Sequence, residues 1–215
     1  MNASLHIAPV VAGIDVGGER KGCHLVVLRG SDILHHTHHQ NPQKLVDVCL
    51  EYKAVAIGID APAIWAQPDQ PRRAERELAR AGWSVFATPS RDKALANVTG
   101  FYGWMFNGER VFAALAPHYA LWEGQPVTSP VCFETFPHAI TSALLAGEHV
   151  EARLKRAQRL QVLQQARINP ARLTSQDDID AAICALSARY LVAGQVQTFG
   201  DVAGGFIAIP QPGNG

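Results

Sequence analysis

Asp15, Asp60 and Glu134 each follow directly on a short apolar run, and Asp177 and Asp180 stand at the start of a helix-forming stretch. These are residues that could hold a divalent cation. The runs, residues 10–14, 54–59 and 130–133, are β-branched or apolar and suit buried strands. A carboxylate at the end of such a strand is costly unless it is paired, hydrogen-bonded or bound to a cation. Several on adjacent strands would repel one another unless a shared cation neutralised them. Magnesium and manganese favour oxygen ligands, which matches acids without an accompanying cysteine or histidine set. The expected metal ligands are therefore Asp15, Asp60, Asp177 and Asp180, with Glu134 completing the shell or orienting water.

Such a site needs a frame that gathers distant segments. Gly17-Gly18 makes a turn after the first strand, residues 23–28 and 33–38 read as two more strands, and the short link between them predicts an antiparallel meander. Pro42 can open a helix through residue 52, which leads into the strand at 54–59. A helix is expected over 71–81, a short strand over 83–87, a basic helix over 150–167, and a last helix from the N-cap Ser175 to residue 193. Residues 206–209 close with a brief strand before a Gly/Pro tail. On the last helix, Ile179, Ile183, Leu186 and Tyr190 form a core-facing stripe with Asp180 on its flank, whereas Asp177 points more nearly away and Asp178 lies on the other flank. Asp177 and Asp178 also read simply as acids favoured by the helix dipole.

The 215 residues are 47% hydrophobic and carry zero formal net charge, so one α/β domain over 1–215 with a real core is expected. Residues 94–128 read as an aromatic-rich helical insertion: packed core, lid, base-stacking surface or homodimer contact. No stretch is apolar for long enough to span a bilayer, and the N-terminus has no signal-type pattern, which predicts a cytoplasmic protein without a membrane partner. Cys23, Cys49, Cys132 and Cys184 lack paired spacing and read as buried reduced thiols. With no global charge, phosphate binding needs a local patch. Arg73, Arg91 and Lys93 are candidates, although the interleaved Glu75 and Glu77 equally suggest an ordinary salt-bridged helix face. His35, His36, His38 and His39 look like a metal tag but read better as a solvated edge strand.

Gly13-Ile14-Asp15, Ile59-Asp60-Ala61-Pro62, Arg72-Arg73-Ala74-Glu75, Phe133-Glu134-Thr135-Phe136-Pro137, Asp177-Asp178-Ile179-Asp180-Ala181 and Gly204-Gly205-Phe206-Ile207 with Pro210 occur in that order. The set resembles the RNase H-like family called domain of unknown function 429, over nearly the whole chain. The resemblance implies a mixed central sheet flanked by helices, its first three strands antiparallel and the rest parallel, and a nuclease acting on nucleic acid. The wider superfamily includes RuvC-type resolvases, whose last helix carries two aspartates three residues apart, as Asp177 and Asp180 are here.

Phosphodiester hydrolysis suits this acid set. It calls for a water made nucleophilic near neutral pH and two cations about 3.5–4 Å apart that stabilise the attacking and leaving oxygens. Asp15, Asp60, Glu134 and Asp180 are then the catalytic candidates, with Mg2+ or Mn2+ as cofactor. Two other readings stay open. Gly13 to Gly18, with Lys21 nearby, also resembles the first phosphate-binding segment of sugar kinases and actin-like ATPases, although the second domain that encloses ATP has no room in this length. A nucleic-acid or protein binding module that kept the fold without the chemistry is the third.

Overall fold

The computed structural model describes residues 8–145 and 150–211. In chain order the elements are β1 (Val10–Val16), β2 (Cys23–Arg29), β3 (Asp32–His39), α1 (Pro42–Glu51), β4 (Ala56–Asp60), α2 (Arg73–Arg80), α3 (Arg91–Leu95), α4 (Gly103–Leu115), β5 (Ala120–Leu121), β6 (Val131–Glu134), α5 (Pro137–Leu144), α6 (Lys155–Gln165), α7 (Gln176–Val192), β7 (Val196–Asp201) and β8 (Gly205–Pro210). They build one sheet in the order β3-β2-β1-β4-β6-β8-β7, with β5 also on β6. β1, β2 and β3 pair antiparallel. β4 joins β1 in parallel, and β6 joins β4 in parallel. This is a mixed α/β fold flanked by helices: an antiparallel meander extended by the parallel strands β4, β6 and β8, with β7 antiparallel to β8 at the far edge, where a parallel strand is expected.

Alternation along the strands divides the core into two layers. On β1, Val11 faces α7, while Val10, Ala12, Ile14 and Val16 pack with Leu45 and Val46 of α1 and Val111 and Leu115 of α4. Gly13 and Asp15 share the parity of Val11, so Asp15 points toward the α7 side. On β4, Ile57 and Ile59 belong to the α1/α4 layer, which puts Gly58 and Asp60 on the α7 side with Asp15. The two glycines admit the helix backbone. A Cβ at Gly13 would stand 2.1 Å from both the Ala181 carbonyl oxygen and the Ala185 nitrogen, and one at Gly58 would stand 2.6 Å from the Cys184 carbonyl oxygen.

α7 is sheathed almost all round: every residue from Asp178 to Ala188 is buried, not only the expected stripe. Its start is fixed by a capping box, in which the Ser175 hydroxyl accepts from the Asp178 N–H at 3.0 Å and the Asp178 carboxylate accepts from the Ser175 N–H at 3.0 Å. Ser175→Ala is expected to lower unfolding free energy by about 1 kcal/mol. Urea denaturation followed by circular dichroism checks this; an unchanged midpoint would show that the box does not hold the helix start.

Several expectations need correction. Residues 83–87 form no strand. Trp83 and Val85 are half-buried between exposed Ser84 and Phe86, so the alternation is present without a neighbouring strand to bond. β7 was not foreseen, because Phe199 is its only buried residue. The basic helix expected over 150–167 is a 3-10 turn at Ala152–Leu154 followed by the shorter α6, with Arg167 past its end at a φ of 61°. The insertion is not one unit: Met105, Val111 and Leu115 of α4 are core, whereas Val98 and Phe101 before it are exposed. β3, with its histidines, is an edge strand, and all four cysteines are free and buried. The expected Gly/Pro tail from residue 212 lies outside the described residues.

Candidate active site

The register places Asp15 directly beside Asp60 at the C-terminal ends of β1 and β4. Asp15 is buried and Asp60 half-buried, and neither accepts a hydrogen bond from a described residue. Asp15 is held well above the usual carboxylate range, first by burial and then by the charges of Asp60, Asp180 and Asp177. Asp60 is pushed up to about 7 by burial and by Asp180, with Arg159 and Lys155 pulling the other way. These are acids gathered in one place with no direct ion pair of their own among the described residues.

The first turn of α7 overhangs this pair. Asp180, buried, accepts from the guanidinium of Arg159, from Lys155 Nζ at 2.9 Å and from Gln176 Nε2 at 2.6 Å. Asp177 accepts from Lys21 Nζ at 2.9 Å, and Asp178 meets His24 Nδ1 at 2.7 Å besides its capping bonds. α6 thus brings two cations against the acidic group. Nothing local in the sequence shows that the partner of Lys155 and Arg159 lies at residue 180.

Glu134 is placed differently from the expectation. Val131 and Phe133 of β6 belong to the α7 layer, so Glu134 leaves the strand on the other face, in register with Ile59 and not with Asp60. There Arg72 grips it with two bonds, NH1 to Oε1 at 2.9 Å and NH2 to Oε2 at 2.6 Å, and the Ala63 N–H donates to Oε2 at 2.9 Å. The Arg72 guanidinium also reaches Glu75, Thr88 and the Gly204 carbonyl. Glu134 is thus held by Arg72 on the other face of the strand end, where its charge still helps to raise Asp60.

The basic candidates divide in the same way. Arg73 is bonded to Glu77 at 2.6 Å, and Arg91 to Glu109 at 2.9 Å and 3.2 Å. Lys93, exposed on α3, has no acidic partner among the described residues. The glycine turn after β1 offers little to a phosphate: the Gly17, Lys21 and Gly22 amides donate to Gly22, Gly18 and Gly18 carbonyls.

Asp15 and Asp60 fit a hard divalent cation, being unpaired oxygen donors side by side in a buried place. Asp180 fits as a third donor once it exchanges Arg159 and Lys155 for the ion. As the side chains stand, no group of three His, Cys, Asp or Glu among the described residues is close enough to hold a metal.

A family model described as protein of unknown function, DUF429, matches residues 13–203. The chain belongs to this family. That span carries every acid of the candidate site in this DUF429 chain. Among solved structures, Thermus thermophilus RuvC is similar over 86% of this chain and 96% of its own, at 16% identity and a TM-score of 0.46. Thermus thermophilus RuvC in complex with a Holliday junction substrate gives 18% identity and a TM-score of 0.49 over 88% and 97%. The nuclease domain of the large terminase subunit of bacterial virus Sf6 gives 10% identity and 0.31 over 96% and 78%. No curated protein matches the chain. Among the described residues, no helix is long and apolar enough to cross a membrane.

Proposed function

We propose that this DUF429 chain is a divalent-cation-dependent nuclease that hydrolyses phosphodiester bonds at Asp15, Asp60 and Asp180. The observation that carries this reading is the in-register pair Asp15 and Asp60 at the strand ends, whose carboxyls are raised by burial and by each other's neighbouring acids and form no direct ion pair among the described residues. Asp15 and Asp60 would hold Mg2+ or Mn2+, joined by Asp180 from α7. The charges of Asp60, Asp180 and Asp177 all bear on Asp15, which would suit it to hold a cation together with them. Such cations supply electrostatic stabilisation to the oxygens of a phosphodiester under attack. The chain itself does the positioning. β1 and β4 fix two carboxylates, the capped α7 fixes the third, and Lys155 and Arg159 bring positive charge to the edge where a polyanion would approach. Four buried free thiols favour a reducing compartment such as the cytoplasm.

The test is cleavage of labelled single-stranded, duplex, hybrid and branched nucleic acids with Mg2+, Mn2+ or EDTA. Cleavage of at least one substrate with metal and none in EDTA is expected. Uniform inactivity with retained binding would favour a non-catalytic binding module, and phosphate transfer from ATP to a small molecule would favour the kinase-like reading.

A further inference from the structure

A groove of about 570 Å³ runs beside the candidate site, between the loop at 66–71 and the start of α4. That size falls in the range of about 300–1,000 Å³ typical of ligand sites. Phe86 and Thr88 line both this groove and the narrow pocket that contains Asp60. Phe86 is 41% exposed, although a large apolar ring at such a place would ordinarily be covered. It centres an aromatic group, with Phe101 at 5.6 Å, Tyr102 at 6.2 Å and Trp104 at 6.3 Å between ring centroids. Tyr102 and the unpaired Lys93 line the groove, and Gln67 and Gln70 add side-chain amides to its wall. Asp69 is the one acid among the lining residues.

The exposed ring of Phe86, the Tyr102 ring, the Lys93 ammonium and two glutamine amides along one groove match the demands of a strand with unpaired bases. Rings stack on bases of any sequence, the ammonium meets a phosphate, and the amides bond base edges. We infer that this groove takes unpaired nucleobases of single-stranded or locally opened nucleic acid, and presents the adjoining phosphodiester to Asp15 and Asp60. The inference rests on the nuclease reading and narrows its substrate class.

Binding is measured by fluorescence anisotropy in EDTA, so that cleavage plays no part. The probes are a 12-residue thymidine strand, an abasic strand of equal length and a blunt duplex. The intact protein is expected to bind the thymidine strand about tenfold more tightly than either alternative. Phe86→Ala removes that preference and Phe86→Tyr keeps it, whereas Lys93→Gln weakens thymidine and abasic strands equally and flattens the salt dependence. Equal binding of thymidine and abasic strands by the intact protein would overturn the inference, as would Phe86→Ala with an undiminished preference. Self-association abolished by Phe86→Ala without any strand preference would overturn it too, because the groove would then meet a second copy. Strand preference without cleavage in Mn2+ upholds the groove while rejecting the nuclease reading. Metal-dependent cleavage without strand preference does the reverse.

Discussion

Asp60→Asn is expected to do two opposite things: abolish metal-dependent cleavage and stabilise the metal-free protein. Losing even a group that only supports a ligand weakens metal sites by about 10–100-fold, so loss of a ligand should lower activity by more than about 100-fold. The stability gain follows from charge. The Asp60 carboxyl is raised from 3.8 to about 7, by burial and then by Asp180. An acid raised on folding favours the folded state in its protonated form. Its contribution is present in full below about pH 4 and is lost as pH rises through about 7. The neutral asparagine escapes that loss. Its advantage should be absent at pH 4, grow between pH 4 and 7, and reach a few kcal/mol at pH 8. Divalent cation narrows the gap, because an ion at 100 times its Kd stabilises the intact protein by about 2.7 kcal/mol and leaves the variant nearly unmoved. Melting curves at pH 4, 6 and 8, with and without Mn2+, decide the matter. A variant less stable than the intact protein at pH 8 without metal would sink the account of Asp60 as an acid without an ion pair of its own.

Arg72→Ala should be the most damaging change outside the acidic group. Arg72 is 3% exposed and joins α2, β6, the segment before α3 and the turn into β8 through Glu75, Glu134, Thr88 and Gly204. Its removal leaves two buried carboxylates facing each other without a cation, a situation that costs about 3–5 kcal/mol. At about 2–4 °C per kcal/mol for a chain of this size, the melting temperature should fall by about 10 °C. Arg72→Lys should rescue little, since one ammonium cannot span the four partners of a planar guanidinium. Arg72→Met combined with Glu75→Gln and Glu134→Gln should recover part of the loss by removing the stranded charges. An Arg72→Ala protein with the melting temperature of the intact chain would show that the guanidinium is not the joint it resembles.

Much of the fold was legible because local chemistry and tertiary packing agree. The apolar runs at β1, β4 and β6 have no other place than a buried sheet, and Ser175 caps α7 where its hydroxyl pattern predicts. What failed was long-range or two-faced. Glu134 ends an apolar run just as Asp60 does, yet β6 meets β4 with Phe133 on the α7 side, so the acid emerges on the opposite face. Run-end position locates an acid along a strand without saying which face it takes. The pairings of Arg72 with Glu134 and of Arg159 with Asp180 join residues 62 and 21 positions apart, beyond any helical or strand period. β7 was illegible for a different reason: an edge strand of Val196–Asp201 needs only one inward side chain, and the polar or small Gln197, Thr198, Gly200 and Asp201 around Phe199 hide it.

Gly13 and Gly58 give the acidic group a property that side-chain packing could not. At these two positions α7 rests on bare strand backbone, with no side chain of the strand between helix and sheet. Core side chains can change rotamer, and their substitution can shift neighbouring helices by fractions of an ångström, but here there is nothing to re-pack. The interval between the helix-borne carboxylate and the two strand-borne ones is thus gauged by peptide units in van der Waals contact. A cation bridging them would find its span machined into the main chain, insensitive to drift elsewhere in the core.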